Sequence, residues 1–233
     1  MLTIVHEPGT DLLLQRVAQY MCRKIREALA VGDSVNIAVP GGRSVAKVFE
    51  AMRAEDVDWT RTHFFVIDER LVPVDHPDRN FKLLNEHFIT PLTREGRISP
   101  DNAHPFILDT SVPDQGTRAY EEALARHGSH FDIILLSSGE DGHVGALFPD
   151  HHSVNDPRRG FIVMHDSPKP PPGRMSASLP LMQGAGAAVL LFVGESKRSA
   201  FKRFKDASTP VPACPAKLAL AMKDVAVFTD LAR

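Results

Sequence analysis

The chain has 233 residues, 43% of them hydrophobic, enough to bury a full core in one domain spanning 1–233. Its 27 basic and 29 acidic side chains are balanced and form no block of like charge, which argues against nucleic acid as a partner. No apolar stretch reaches ~18 residues and the N-terminal MLTIVHEPGTD lacks the regions of a signal peptide, so a cytoplasmic protein with no membrane partner is expected.

Apolar runs of strand length alternate with helical patterns along the chain. Leu2 to His6 reads as a first strand. Thr10 or Asp11 then starts a helix whose apolar positions Leu14, Val17, Met21, Ile25 and Leu29 recur at three- and four-residue spacing as far as Gly32. Cys22 falls on that pattern and reads as an inert thiol; with Cys214 it makes neither a disulfide framework nor a metal-ligand spacing. Val35 to Val39 is the next strand, Pro40-Gly41-Gly42 a turn, and a helix containing Val45, Val48, Phe49 and Met52 follows Ser44. His63 to Ile67 is a third strand, running into Asp68-Glu69-Arg70 and an irregular stretch as far as Asn80.

Beyond a helix through Leu84 and Phe88, Phe106-Ile107-Leu108 reads as a short strand and 114–127 as a helix. The apolar run Phe131 to Leu136 is a buried strand that breaks at Ser137-Ser138-Gly139 into the cluster Glu140-Asp141-Gly142-His143. Then come a strand at Phe161 to His165, a Pro-rich loop from Lys169 to Arg174, and a strand at Ala187 to Val193. A basic helix opening at Gly194, a short helix from Pro215 to Met222 and a strand from Val225 to Phe228 complete the chain. This alternation predicts a mostly parallel sheet with helices on both faces.

Four places carry candidate chemistry. An imidazole beside two carboxylates at the end of a buried strand, His143 with Asp141 and Glu140, has the surroundings that tune a proton-transfer group. The Gly41-Gly42 turn between a strand and a helix N-terminus is suited to an anion, because free N–H groups and the helix dipole converge there. In Asp68-Glu69-Arg70 a carboxylate can serve as a base and an arginine can hold negative charge on oxygen. Arg174 follows a stiff proline run, and Lys197 is a cation in a first helical turn, a placement that an anion would offset. His151 and His152 have no clear partners, and no set of three or four metal ligands can be assembled from the sequence.

Read together, Gly41-Gly42, Asp68-Glu69-Arg70-x-Val72-Pro73 with Asn80, Gly139-x-Asp141-Gly142-His143-x-x-x-Leu147-Phe148-Pro149, Pro170-Pro171-x-x-Arg174-Met175-Ser176 and Gly194-x-x-Lys197 resemble the 6-phosphogluconolactonase family. That family lies within a wider group that includes glucosamine-6-phosphate deaminase. The resemblance implies a Rossmann-like three-layer α/β sandwich and hydrolysis of 6-phospho-D-glucono-1,5-lactone to 6-phosphogluconate in the oxidative pentose phosphate route. It implies no cofactor and no metal, and the chain is expected to be a monomer or small homo-oligomer. On this resemblance His143 is the general base, oriented by Asp141 or Glu140, with Asp68 and Arg70 completing the catalytic group. Gly41, Gly42, Arg43, Ser44, Arg174 and Lys197 would hold the phosphate. The deaminase relatives carry an acidic residue before the proline of the His motif; Phe148 stands there instead, the lactonase form. The glycine turn departs from the family's Ser-Gly-Gly-Ser-Thr, reading Pro40-Gly41-Gly42-Arg43-Ser44. A sugar-phosphate-binding module without catalysis is the remaining alternative.

Overall fold

A computed structural model describes residues 1–232 of the chain. The strands richest in Val, Ile, Leu and Ala lie at its centre: β2 (Val35–Val39), β6 (Ile133–Ser137) and β9 (Ala187–Phe192), of which β2 and β9 are buried at every position. Apolar residues at consecutive positions suit a parallel sheet covered on both sides. With β1 (Leu2–His6), β3 (Thr62–Val66), β5 (Ala103–His104) and β10 (Asp224–Thr229) these form a seven-stranded sheet in the order β1-β10-β9-β6-β2-β3-β5. Every pairing in it is parallel, with Ala38 opposite Ile134 and Ile134 opposite Ala188 across the centre.

Side chains alternate between two cores on opposite faces of this sheet. Ile37, Ile133, Leu135, Val189 and Leu191 face helices α1 (Thr10–Leu29), α2 (Arg43–Arg53) and α3 (Asn80–Leu84). Ala38, Ile134, Leu136, Leu190 and Phe192 face α5 (Thr117–Ala125), α6 (Leu179–Gln183) and α7 (Arg198–Lys205). A short helix, α4 (Thr90–Arg94), continues the line of α3 through a π-helical turn at Asn85–Ile89. The three-layer α/β architecture is the one expected. Among the described residues no helix is long and apolar enough to cross a membrane.

Two features differ from expectation. Phe106-Ile107-Leu108 is not a strand; the edge strand is the two-residue β5, and Pro105 after it has no N–H to extend the ladder. There is also a second, antiparallel sheet in the order β4-β8-β7, made of β4 (Asp68–Arg70), β8 (Arg174–Ala177) and β7 (Phe161–Met164). Its register sets Asp68 opposite Ser176 and Arg70 opposite Arg174. The charged triplet and the segment after the prolines are thus partners, and Met175 and Ala177 between the polar residues enter the core beneath.

From β2 the chain moves outward to β3 and β5, whereas from β6 it moves the opposite way to β9 and β10. Since β2 and β6 are neighbours, their carboxyl ends flank the point where strand order reverses, the place where open α/β sheets leave a crevice.

Candidate active site

At the end of β2 the chain turns through Pro40, Gly41 and Gly42 into α2. Gly42 has φ 120°, a region that side chains rarely adopt. Gly41 is required for a different reason: a Cβ there would lie 1.9 Å from Asn80 Oδ1. Asn80 Nδ2 in turn donates to the Asp68 carbonyl at 2.8 Å and to Asp68 Oδ2 at 3.0 Å, fixing the turn, β4 and the start of α3 together. The first turn of α2 contains no acidic residue, so no carboxylate of the helix offsets the positive end of its dipole, which lies just beyond Gly41 and Gly42 in the crevice lining.

Strand periodicity sorts the charged triplet. Asp68 and Arg70 face the crevice, while Glu69 points the other way and is fully buried. Its carboxylate accepts N–H groups from Arg70 (2.7 Å), Asn80 (2.8 Å) and Phe81 (2.9 Å), and pairs with the equally buried Arg79 at 3.2 Å. Arg79 also donates to the Phe106 carbonyl at 2.6 Å. The irregular stretch after Arg70 is therefore closed at its base by a buried ion pair. Arg70 donates to the Asp78 carbonyl at 2.7 Å, and its Nε is buried without a partner among the described residues.

The His motif is a tight turn at the end of β6, and no α-helix follows it directly. The Gly139 N–H donates to the His143 carbonyl at 2.8 Å, and the Gly142 N–H to the Gly139 carbonyl at 3.1 Å. His143 lies so close over Gly139 that a Cβ there would be 2.0 Å from His143 Cε1. Its Nδ1 is 2.5 Å from Asp141 Oδ1, so Nδ1–H donates to the carboxylate and Nε2 is left as the free nitrogen. Asp141, not Glu140, is the partner. Burial works against the charge on Asp141, but its hydrogen bonds with His143 and the nearby positive charges outweigh this and hold its carboxyl well below the usual range. Phe148 packs against the imidazole, ring centres 5.0 Å apart and planes inclined at 45°.

Two lysines complete the crevice. Lys169, on the Pro-rich loop, is 3.5 Å from Asp141 Oδ2. Lys197 ends a 3-10 turn after Gly194; burial, together with the charge of Lys169 and against the pull of Glu140 and Asp141, lowers its pKa. Among the described residues its amine has no protein partner. The resulting cavity is about 280 Å³ and is lined by Gly41, Gly42, Asp68, Arg70, His143 and Lys197, all read from the sequence, together with Asn80, Glu140 and Lys169.

Three expected residues stand elsewhere. Arg174 does not line the cavity: it is 5% exposed and its guanidinium donates to the carbonyls of Pro171 (3.0 Å) and Pro170 (2.8 Å). It holds the loop that presents Lys169. Arg43 and Ser44 lie on the first turn of α2 outside the lining, with Arg43 exposed. Lys169 and the Glu69–Arg79 pair carry no sign of a role in the local sequence, and Asn80 only that of its motif. Alternation within Asp68-Glu69-Arg70 was the available sign that the middle residue turns inward.

Residues 8–228 match the family described as glucosamine-6-phosphate isomerases/6-phosphogluconolactonase. The chain belongs to this family. The 6-phosphogluconolactonase of Borreliella burgdorferi is 30% identical over 198 residues, which are 85% of this chain and 84% of that protein. That of Synechocystis is 31% identical over 197 residues, 82% of this chain and 79% of the relative. Among solved structures, the 6-phosphogluconolactonase of Thermotoga maritima superposes with a TM-score of 0.81 at 23% identity, covering 98% of both chains. The enzyme from Shewanella baltica gives the same TM-score and identity, covering 98% and 97%. These structural likenesses show a shared fold.

Proposed function

We propose that this protein hydrolyses 6-phospho-D-glucono-1,5-lactone to 6-phosphogluconate, as a cytoplasmic monomer or small homo-oligomer. The observation that carries the reading is the imidazole of His143, fixed at Nδ1 by Asp141, with Nε2 free in a cavity that also holds Arg70 and Lys197. Such a group takes a proton from water as the oxygen attacks C1 of the lactone. The C1 oxygen becomes an oxyanion, which Arg70 stabilises. Collapse of the tetrahedral adduct breaks the bond from C1 to the ring oxygen, and the imidazolium returns its proton to that leaving oxygen. One water is consumed and the free carboxylic acid then ionises. Asp141 keeps its charge throughout and stabilises the imidazolium.

The phosphate is assigned to the N-terminus of α2 at Gly41 and Gly42 and to Lys197, with Arg43 and Ser44 contributing through the backbone N–H groups of the first turn. A half-buried amine without a partner among the described residues and a helix start without an acidic residue are local costs that a dianion offsets. Across β4 and β8, Arg70 and Arg174 oppose each other, a like-charge pair that a bound anion also relieves. Arg174 acts behind the site, by holding the loop of Lys169. Binding the remote phosphate fixes C1 against His143 and so contributes to the rate.

Against the deaminase reading stands Phe148, 2% exposed and packed on His143, a side chain that cannot move a proton for ring opening. The test is lactone loss, with substrate generated freshly in a coupled dehydrogenase assay and the spontaneous rate subtracted, beside ammonia release from glucosamine 6-phosphate. Hydrolysis above background without ammonia is expected. Ammonia release would establish the deaminase instead, and folded protein active in neither assay would leave a binding module.

A further inference from the structure

At the opposite end of β3 from the cavity, three histidines from separate segments meet. His63 lies on β3, His104 on β5 and His127 in the turn after α5. The register pairs His104 with Phe65, two residues beyond His63, so both imidazoles stand on one face of the sheet. His104 stacks on Phe65, ring centres 4.4 Å apart, and the ring of His127 lies 3.8 Å from that of His63. The buried Asn36 holds the third segment in place, its Nδ2 donating to the His127 carbonyl at 2.6 Å and to the His130 carbonyl at 3.0 Å.

One ring nitrogen from each histidine lies within 4.8 Å of the other two, and His63 Nδ1 is 3.2 Å from His104 Nε2. Ligands on a tetrahedral ion with ~2.0–2.1 Å bonds are themselves about 3.3 Å apart. We propose that His63, His104 and His127 form a binding site for a divalent transition-metal ion of the zinc class, with water in the fourth position. A donor set of three imidazoles and no carboxylate suits zinc, copper or nickel and disfavours magnesium or calcium. All three rings are partly buried, and each offers an imidazole nitrogen, which binds a metal in its neutral form. Arg126, beside His127, opposes the ion, but its side chain is exposed and screened by solvent.

The ion has a structural task. The edge strand β5 has only two residues and is stopped by Pro105; a metal would tie it to β3 and to the end of α5. Asp68 lies five residues beyond His63, roughly 15 Å along an extended strand, so the ion does not reach substrate.

The test is titration of metal-stripped protein with Zn²⁺ by calorimetry, and with Co²⁺ for the visible absorption of a tetrahedral site. Wild type is compared with His63→Gln, His104→Gln and His127→Gln. A His152→Ala/Asp166→Asn variant serves as control, because His151, His152 and Asp166 form the other cluster of potential ligands among the described residues. About one equivalent of Zn²⁺ should bind and raise the melting temperature. Each histidine variant should bind at least about tenfold more weakly, since even the loss of an outer-shell partner costs that much. The control should bind as wild type, and lactone turnover should be unchanged by the ion. His127→Gln lies in a turn and keeps the comparison open if a strand substitution fails to fold. Undiminished uptake by folded His127→Gln, uptake lost in the control, or no uptake by native wild type would each overturn the proposal.

Discussion

At the scale of single residues the site rests on one imidazole and its surroundings. His143→Ala should lower kcat by about 10²–10⁴, the usual contribution of a positioned general base, while 6-phosphogluconate binds with nearly unchanged affinity. Gly139→Ala should reproduce that kcat defect without touching His143. Its Cβ would occupy the place of the imidazole, and Gly139 has no positive φ to strain the backbone. Calorimetry with the product and steady-state kinetics check both; a Gly139→Ala enzyme of wild-type kcat would mean that the imidazole can sit elsewhere and still work. Asp141 adds a pH dependence of stability. Because its carboxyl is held below the ordinary value in the folded protein, it stabilises fully above the unfolded value of about 3.9, and the contribution is lost as pH falls through the folded value. Urea unfolding of Asp141→Asn should therefore depend less steeply on pH below about 4 than that of wild type. Equal slopes would remove the ion pair from the acid-range stability.

At the scale of elements, the central strands were legible because burial on both faces leaves continuous apolar runs, as in β6 and β9. The strands β4 and β8 were not. Each has only three or four residues, carries charge, and pairs with a partner about a hundred residues away, so neither gives a local pattern. The candidate site divided in the same way. His143, Arg70 and Lys197 lie at strand ends where the local sequence already breaks its pattern. The placement of Arg174 beneath the loop, and of Lys169 in the cavity, depends on that unseen pairing. The three-histidine cluster was invisible for the same reason. Beneath β4, the Glu69–Arg79 pair makes the loop that follows part of the core. Arg79→Ala would leave a buried carboxylate with no counter-ion, and breaking a buried pair on one side typically costs about 3–5 kcal/mol. The expected result is a lower urea midpoint with the slope preserved, corresponding to a loss of unfolding free energy of that size. A loss below ~1 kcal/mol would mean that the three backbone N–H groups alone carry Glu69.

At the scale of the whole molecule, the cavity belongs to no single element. It joins the carboxyl ends of β2, β3, β6 and β9 to the second sheet and the Pro-rich loop, so a ligand there ties both sheets together. Binding to the folded state alone stabilises it by about 2.7 kcal/mol at a hundred times Kd. For a chain of this length each kcal/mol raises the melting temperature by about 2–4 °C, so saturating 6-phosphogluconate should raise it by roughly 5–10 °C. Lys197 separates ligand binding from folding, because its half-buried amine has no protein partner among the described residues. Lys197→Ala should melt at the wild-type temperature when unliganded. It should lose one charge-assisted hydrogen bond to phosphate, about 1.5–3 kcal/mol, or tenfold or more in affinity. At the same ligand concentration its thermal shift should then fall to about half or less. Equal shifts in the two proteins would take the phosphate away from Lys197, whereas a lower melting temperature without ligand would make the lysine a structural residue and return the phosphate to the α2 N-terminus alone.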